Sequence, residues 1–420
     1  MSGSKLPYRL IAFLTLINLL NFFDRYIVQA VEPLLKSEFG LTNQQSGLLG
    51  AAFVVGYTIF SPLFGFFDNR VDRRILMACG LVAWSLFTGL TGLASGFLFF
   101  VIARILVGVG EASFGAIVPS FLKGRVQDMV ALNSALSIFY VAIPVGSALG
   151  YIAGGQLAAT WGWREVFLIA TIPGLILPLG FMFVAKEERA QALQEPRPSF
   201  VKGIGAICRA RVLRLSILGY ILQAFALNGV AMFVVRHVAS LGMVAGDASR
   251  YFGYNLAVTG FIGALGGGQL ASRLVKGSSM QVRGLLLFVA ITTLIGVPFL
   301  SGAFLSSSPR LFFMLCFVAQ ITLFAGTAPL NSVLVARAPN GLEAFTQGIT
   351  IFAIQLFGAA LAPVIIGGFA DLLLSVTGLP EARALAIGLQ ISSVAMLLAG
   401  VVWLRAARLE RQEFSVANAK

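Results

Sequence analysis

Charge is scarce in this chain. Lysine, arginine, aspartate and glutamate make up only 11% of its 420 residues, against 58% hydrophobic residues. A soluble domain carries about 25% charged residues. The length alone would suggest two or three water-soluble domains, but there is too little polar side chain to coat them. The solvent for most of this surface must be lipid. Histidine is nearly absent: His237 stands alone, which leaves little scope for histidine catalysis or a histidine metal site. Cysteine occurs only at Cys79, Cys208 and Cys316, with no metal-ligand spacing and no disulfide framework. No metal and no cofactor are expected.

What the chain does have is long apolar runs. A bilayer-spanning helix needs about 20 mainly apolar residues. Twelve such runs can be read, over 8–31, 46–67, 75–95, 97–121, 131–158, 164–185, 211–235, 250–272, 283–303, 311–335, 343–370 and 383–404. The first follows Lys5 and Arg9 but is too long for a signal-peptide core and lacks a clear cleavage site. It reads as a retained helix. Connections are short except for 186–210, which is charged and proline-bearing. The expected fold class is therefore an all-α integral membrane protein with twelve transmembrane helices. Its expected organisation is a six-helix bundle over 1–185, a linker over 186–210, a second six-helix bundle over 211–405, and a tail over 406–420.

The net charge of +13 could suggest nucleic acid, so its distribution matters. Alternate loops put the N-terminus, 70–74, 123–125, 186–214, 273–283, Arg337 and the C-terminal tail on one side. Only Lys36, Arg164, Arg236, Arg250, Arg310 and Arg383 fall on the other. The positive-inside rule then places both termini in the cytoplasm. Topology accounts for the basic excess, and no nucleic-acid partner is expected.

Four residues break the apolar pattern deep inside spans: Asp24 and Arg25 in helix 1, Arg104 and Glu111 in helix 4. Each costs about 2.5–3.5 kcal/mol on insertion scales, and such residues usually face a water-filled cavity or one another. In helix 1, Asn18, Asn21, Arg25, Gln29 and Glu32 recur at steps of three and four, which puts them on one face. In helix 4, Arg104, Gly108, Glu111 and Gly115 do the same, and the glycines leave room for a partner helix or a ligand. A proton and substrate site between helices 1 and 4 would explain this cost. A purely structural ion-pair network would explain it less well, because buried pairs give little net stability.

Two further patterns carry meaning. The loop after helix 2 runs Gly65-Phe-Phe-Asp68-Asn69-Arg70-Val-Asp72-Arg73-Arg74. It reads as a lock on neighbouring helix ends or as plain positive-inside anchoring. A weaker echo, Gly268-Gln-Leu-Ala-Ser272-Arg273, follows helix 8, as repeated halves would produce. In helix 5, Gly146, Gly150 and Gly154 form a close-packing face, and Pro144 can bend the helix. Packing and hinge readings are both open. The second half offers neutral groups instead: Gln223, Asn228, Tyr254, Asn255, Gln320, Thr327, Asn331, Gln347 and Gln355. A cavity charged on one wall and apolar or aromatic on the other suits an amphipathic substrate.

With these motifs in view, the twelve-helix 6+6 layout and the 65–74 loop resemble the major facilitator superfamily. Asn21-Phe-Phe-Asp24-Arg25-Tyr26, the stretch from Arg104 to Glu111-Ala-Ser113-Phe114, and the stretch from Ser137 through Pro144 to Gly150-Tyr151 are similar to the spinster subgroup. The resemblance implies a proton-linked carrier of lysophospholipids or sphingosine phosphate. It implies that Asp24 and Glu111 are the protonatable acids and that Arg25 and Arg104 are their basic partners, with Asn21 and Tyr26 beside them. The chain departs from the superfamily's loop motif at Asn69, where an aspartate is usual, so a weaker lock is expected there, with Asp68 or Asp72 partly substituting. The short tails resemble a bacterial member, a monomer in the inner membrane. The expected function is proton-coupled transport of an amphipathic or lipid-like substrate by alternating access. A multidrug or organic-ion antiporter of the same superfamily is the alternative. No nucleophile–base set appears in the spans, so an enzyme is not expected.

Overall fold

The computed structural model describes residues 7–41, 43–68, 70–126, 128–184 and 199–418. Every expected span coincides with helix, and no strand occurs among the described residues. The helices are α1 (Tyr8–Phe39), α2 (Asn43–Phe67), α3 (Arg73–Gly92), α4 (Phe97–Lys123), α5 (Met129–Tyr140), α6 (Ala142–Trp161), α7 (Trp163–Val184), α8 (Phe200–Arg209) and α9 (Arg211–Ser240). They continue with α10 (Ala245–Phe261), α11 (Gly268–Val275), α12 (Gln281–Phe304), α13 (Pro309–Ala325), α14 (Thr327–Arg337), α15 (Glu343–Ala353), α16 (Leu361–Thr377) and α17 (Glu381–Asn418).

Several single spans are divided, and the divisions have local causes. The span Met129–Trp161 breaks at Val141, three residues before Pro144, whose ring cannot donate to the carbonyl of Tyr140. π-helical turns at Ile262–Gly267 and Ile354–Ala359 join α10 to α11 and α15 to α16. Both turns hold glycine, at Gly263, Gly266 and Gly267 in the first and Gly358 in the second. Ends are set by ordinary caps. Gly40 stops α1 in the left-handed region at φ 62°. Asp72 caps α3 by accepting from Arg74 N, and Ser308 caps α13 ahead of Pro309.

Ten helical segments are long and apolar enough to cross a bilayer, and Ala51–Phe67 is a shorter apolar one. The rod made of α10, the π turn and α11 is the twelfth; it carries Asp247 and Arg250 near one end and Arg273 near the other. The fold is thus an all-α, twelve-helix membrane architecture. Large apolar side chains such as Phe183, Met232, Val364 and Val376 lie exposed, as a lipid-facing surface requires.

Two compact units divide the chain. One comprises Met1–Gln127, Ile138–Ala206 and Ala338–Phe352. The other comprises Asp128–Ser137, Ile207–Arg337 and Ala353–Lys420. Two short segments therefore group away from their sequence neighbours: Asp128–Ser137 with the later helices, Ala338–Phe352 with the earlier ones. In the first unit, Ile27, Val28, Val31, Phe100, Trp163 and Phe167 form a core. In the second, Phe304, Phe312, Leu323, Ile366 and Met396 belong to one cluster, and Leu285, Val289, Leu330 and Trp403 to another.

Part of the 186–210 linker, Phe200–Arg209, is helical, and residues 185–198 lie outside the described residues. Residues 406–418 continue α17 rather than leaving it. Ala406, Ala407 and Glu410 are buried there, and Arg337 pairs with Glu410.

Candidate ion-pair site in the first unit

Asp24 and Arg25 are neighbours on α1, so their side chains leave the helix about 100° apart. Each finds a partner on α4, in crossed order. Arg104 Nη1 lies 3.3 Å from both carboxylate oxygens of Asp24. Arg25 Nε donates to Glu111 Oε2 at 2.8 Å. The two α4 residues stand about 10 Å apart along the axis, so these are two separate pairs. Thr88 on α3 adds a second donor to Asp24, with Oγ1 2.9 Å from Asp24 Oδ2.

The pairs differ in access. Asp24, Arg104 and Glu111 are buried, while the Arg25 side chain keeps 16% exposure. Its guanidinium lies 4.7 Å from the Phe22 ring, 4.4 Å from Phe53 and 4.4 Å from Tyr57. Cation–π contacts of this kind are worth about 0.5–2 kcal/mol each, according to desolvation. Glu111 Oε1 and Arg104 Nε are buried without a hydrogen-bond partner among the described residues. A buried unpaired polar atom is costly.

The other expected site residues are placed as follows. Asn21 is buried one turn before the charged pair of α1. Tyr26 lies against Tyr151 on α6, ring centroids 5.2 Å apart. Asn18 donates to the Phe139 carbonyl at 3.2 Å, tying α1 to α5. Gly146, Gly150 and Gly154 face α1: added Cβ atoms would meet the Leu19 and Phe23 carbonyls and Ile27 Cα. In the loop, Arg73 pairs with Asp68 at 2.8 Å, Arg74 pairs with Asp72 at 2.8 Å, and Arg70 lies 4.0 Å over Phe66. Gly65 lets α2 approach the backbone of α15 at Ala344 and Phe345. Lys123 reaches Glu343 of that same helix at 3.0 Å. Asn69 lies outside the described residues.

Sequence reasoning missed Thr88, Phe22, Phe53 and Tyr57. Thr88 could have been found as a hydroxyl inside an apolar run. Phe22 and Phe53 could not, because phenylalanine is common throughout this chain, with 36 copies, and Tyr57 lies on a helix with no charge to draw attention to it.

In the second unit the buried polar groups are mostly neutral, the Arg337–Glu410 pair at the end of α14 apart. Thr259 Oγ1 donates to Gln320 Oε1 at 2.7 Å, Asn255 Nδ2 to the Phe313 carbonyl at 3.1 Å, and Gln223 Nε2 to the Leu323 carbonyl at 3.4 Å. The echo motif is bonded tightly: Asn133 Nδ2 donates to the Gly268 carbonyl at 2.6 Å and to Ser272 Oγ at 2.9 Å. His237 is buried beside Phe304 and Phe312.

Comparison with known proteins agrees with this architecture. The family model described as Major Facilitator Superfamily matches residues 14–363. The chain is 31% identical to the human protein spinster homolog 1, over 94% of this chain and 79% of that protein. It is 28% identical to a mouse protein named Sphingosine-1-phosphate transporter SPNS2, over 94% of this chain and 76% of that one. Among solved structures, a bacterial homologue of the human lysosomal transporter spinster, inward-facing and unoccupied, superposes with a TM-score of 0.63. It has 22% identity and covers 97% of this chain and 98% of its own.

Proposed function

From the premise that the chain belongs to the Major Facilitator Superfamily, in its spinster group, we propose that it is a proton-coupled secondary transporter of an amphipathic, lipid-like substrate. The observation that carries the proposal is the crossed pairing of two buried acids with two arginines, one acid retaining a partnerless oxygen. A carboxylate's proton affinity rises on burial and falls beside a cation. Moving Arg25 or Arg104 toward or away from its acid therefore binds or releases a proton. That is the mechanical requirement of coupling.

The substrate class rests on the relatives' names, a sphingosine-1-phosphate transporter in mouse and a probable sphingolipid transporter in Arabidopsis thaliana. Arg25, the accessible cation of the four, would take the anionic headgroup in competition with Glu111. Residues 1–185 and 211–405 would move as two bundles in alternating access. The carrier would work as a monomer, without chemical conversion of its substrate, in a bacterial inner membrane. Its basic loops and both termini would face the cytoplasm.

The test is uptake of lysophospholipid and sphingosine phosphate into proteoliposomes, with and without an imposed pH gradient. Accumulation that follows the gradient is expected. Gradient-driven uptake of cationic dyes, with neither lipid transported, would replace this reading by that of a multidrug antiporter.

A further inference from the structure

The glycines of α4 were expected to make room for a helix or a ligand, and the structure gives the occupant as α2. A Cβ on Gly108 would strike the Phe53 carbonyl and approach Tyr57 N at 2.8 Å. Gly56 on α2 is in turn closed off by the Ile105 carbonyl. The two helices meet backbone to backbone, as small residues allow. Gly115 differs from the others. Its missing side chain is replaced by the phenol of Tyr57: an added Cβ would clash with the hydroxyl and lie 3.2 Å from Cζ and 3.5 Å from Cε2.

Tyr57 is itself nearly buried, at 9% exposure. Its ring stacks on Phe53 at 5.4 Å with an interplanar angle of 25°. Both rings lie 4.4 Å from the Arg25 guanidinium carbon. The glycine thus seats the phenol, the phenol backs the guanidinium, and the guanidinium presents Nε to Glu111. A long arginine side chain has many rotamers to lose, and the rings restrict them in advance.

We propose that Tyr57, seated on Gly115, is a positioning residue that aims Arg25 at Glu111. This rests on the reading of Arg25 and Glu111 as the working pair. Its ring carries the larger part and its hydroxyl, which also interacts with the Arg25 side chain, the smaller. The hydroxyl end occupies the space over Gly115, and the guanidinium meets both that end and the ring.

The experiment measures the rate at which phenylglyoxal, an arginine-selective reagent, modifies Arg25 in the purified full-length protein, located by peptide mass mapping. Arg104, buried and paired to Asp24, is the internal control. Tyr57→Leu is expected to raise the Arg25 rate by about fivefold, the loss of one desolvated cation–π contact. Arg104 should stay unmodified. Tyr57→Phe keeps the ring and loses only the hydroxyl, so its rate should rise clearly less than that of Tyr57→Leu. Gly115→Ala should approach Tyr57→Leu, because it displaces the phenol. If Gly115→Ala does not fold, the Tyr57 pair decides.

An unchanged Arg25 rate in Tyr57→Leu would overturn the proposal. So would equal increases in the Leu and Phe variants, or Arg104 becoming reactive in step with Arg25, which would mark general loosening. The labelling needs no substrate. Failure of lipid uptake with this order of rates intact would overturn the transport reading and leave the positioning role standing.

Discussion

The two units solve the same problem, polar groups inside apolar helices, with different chemistry. Helices α1 and α4 use full charges, paired across the helix gap, with Glu111 Oε1 and Arg104 Nε left without hydrogen-bond partners among the described residues. Helices α9, α10, α13 and α14 use amides and hydroxyls, such as Thr259–Gln320 and Asn331 with Tyr220. Neutral bonds of this sort hold helices together at modest strength, averaging about 0.6 kcal/mol in membranes. They have no charge to lose near neutral pH. Among the described residues, the buried ion pairs in the interior of the helices join α1 to α4 in the first unit, whereas in the second the pairs Arg337–Glu410 and Arg236–Glu381 sit at or near helix ends.

The largest break in that comparison should come from Arg104→Ala. It strands Asp24 as a buried unpaired charge, and removing one partner of a buried pair costs about 3–5 kcal/mol. Melting of the purified variant should fall steeply, and Asp24→Asn added to it should restore much of the loss. No restoration would mean that Asp24 is not Arg104's electrostatic partner.

Glu111→Gln should be gentler on the fold. It keeps the shape, and the Arg25 it leaves is partly exposed and surrounded by three rings. We expect stability within about 1 kcal/mol of wild type and no accumulation driven by a pH gradient, with substrate binding retained. Asp24→Asn should behave similarly. If both variants accumulate substrate as steeply as wild type, these carboxylates are structural.

On the neutral side, Thr259→Val should cost no more than about 1.7 kcal/mol and leave the pH dependence of uptake unchanged. A shifted pH profile there would erase the contrast between the units.

The smallest effect concerns Glu38, beyond the apolar span of α1. A hydrogen bond from Trp163 Nε1, joined by Arg164, holds its carboxyl below the usual carboxylate range, with burial opposing. A lowered folded-state value stabilises the protein above the unfolded-state value, and that stability is lost as pH falls through the folded one. The side chain is 40% exposed, so solvent screening limits the effect to under about 1 kcal/mol. Glu38→Gln should flatten the acid limb of a melting-temperature profile and leave the neutral region unchanged.

The fold was legible because twelve apolar runs and basic loop asymmetry are strong signals. The four charged site residues were legible because each is expensive where it stands. Their pairing was not. Helical periodicity places Arg104 and Glu111 on one face, but it does not say which depth of α1 lies opposite. Thr88, Phe53 and Tyr57 approach from stretches of α2 and α3 with no nearby charge to mark them. The π turns escaped because their residues are as apolar as ordinary helix. The exchange of 128–137 and 338–352 between units depends on contacts such as Asn133 with Ser272 and Lys123 with Glu343, which are remote in sequence.

The glycine contacts have a mechanical consequence. Gly146, Gly150 and Gly154 clamp α6 to α1 along most of its middle, and Gly56 and Gly108 clamp α2 to α4. Backbones this close cannot roll on each other, because no side chains lie between them to rearrange. The four helices therefore behave as two stiff beams, and both ion pairs bridge the seam between them like two pins in one socket. A shear along that seam would draw both pins together, since neither beam can twist to release one alone. The expected signature is strong coupling in a double-mutant cycle joining Asp24→Asn and Glu111→Gln. Additive energies would mean that the beams bend.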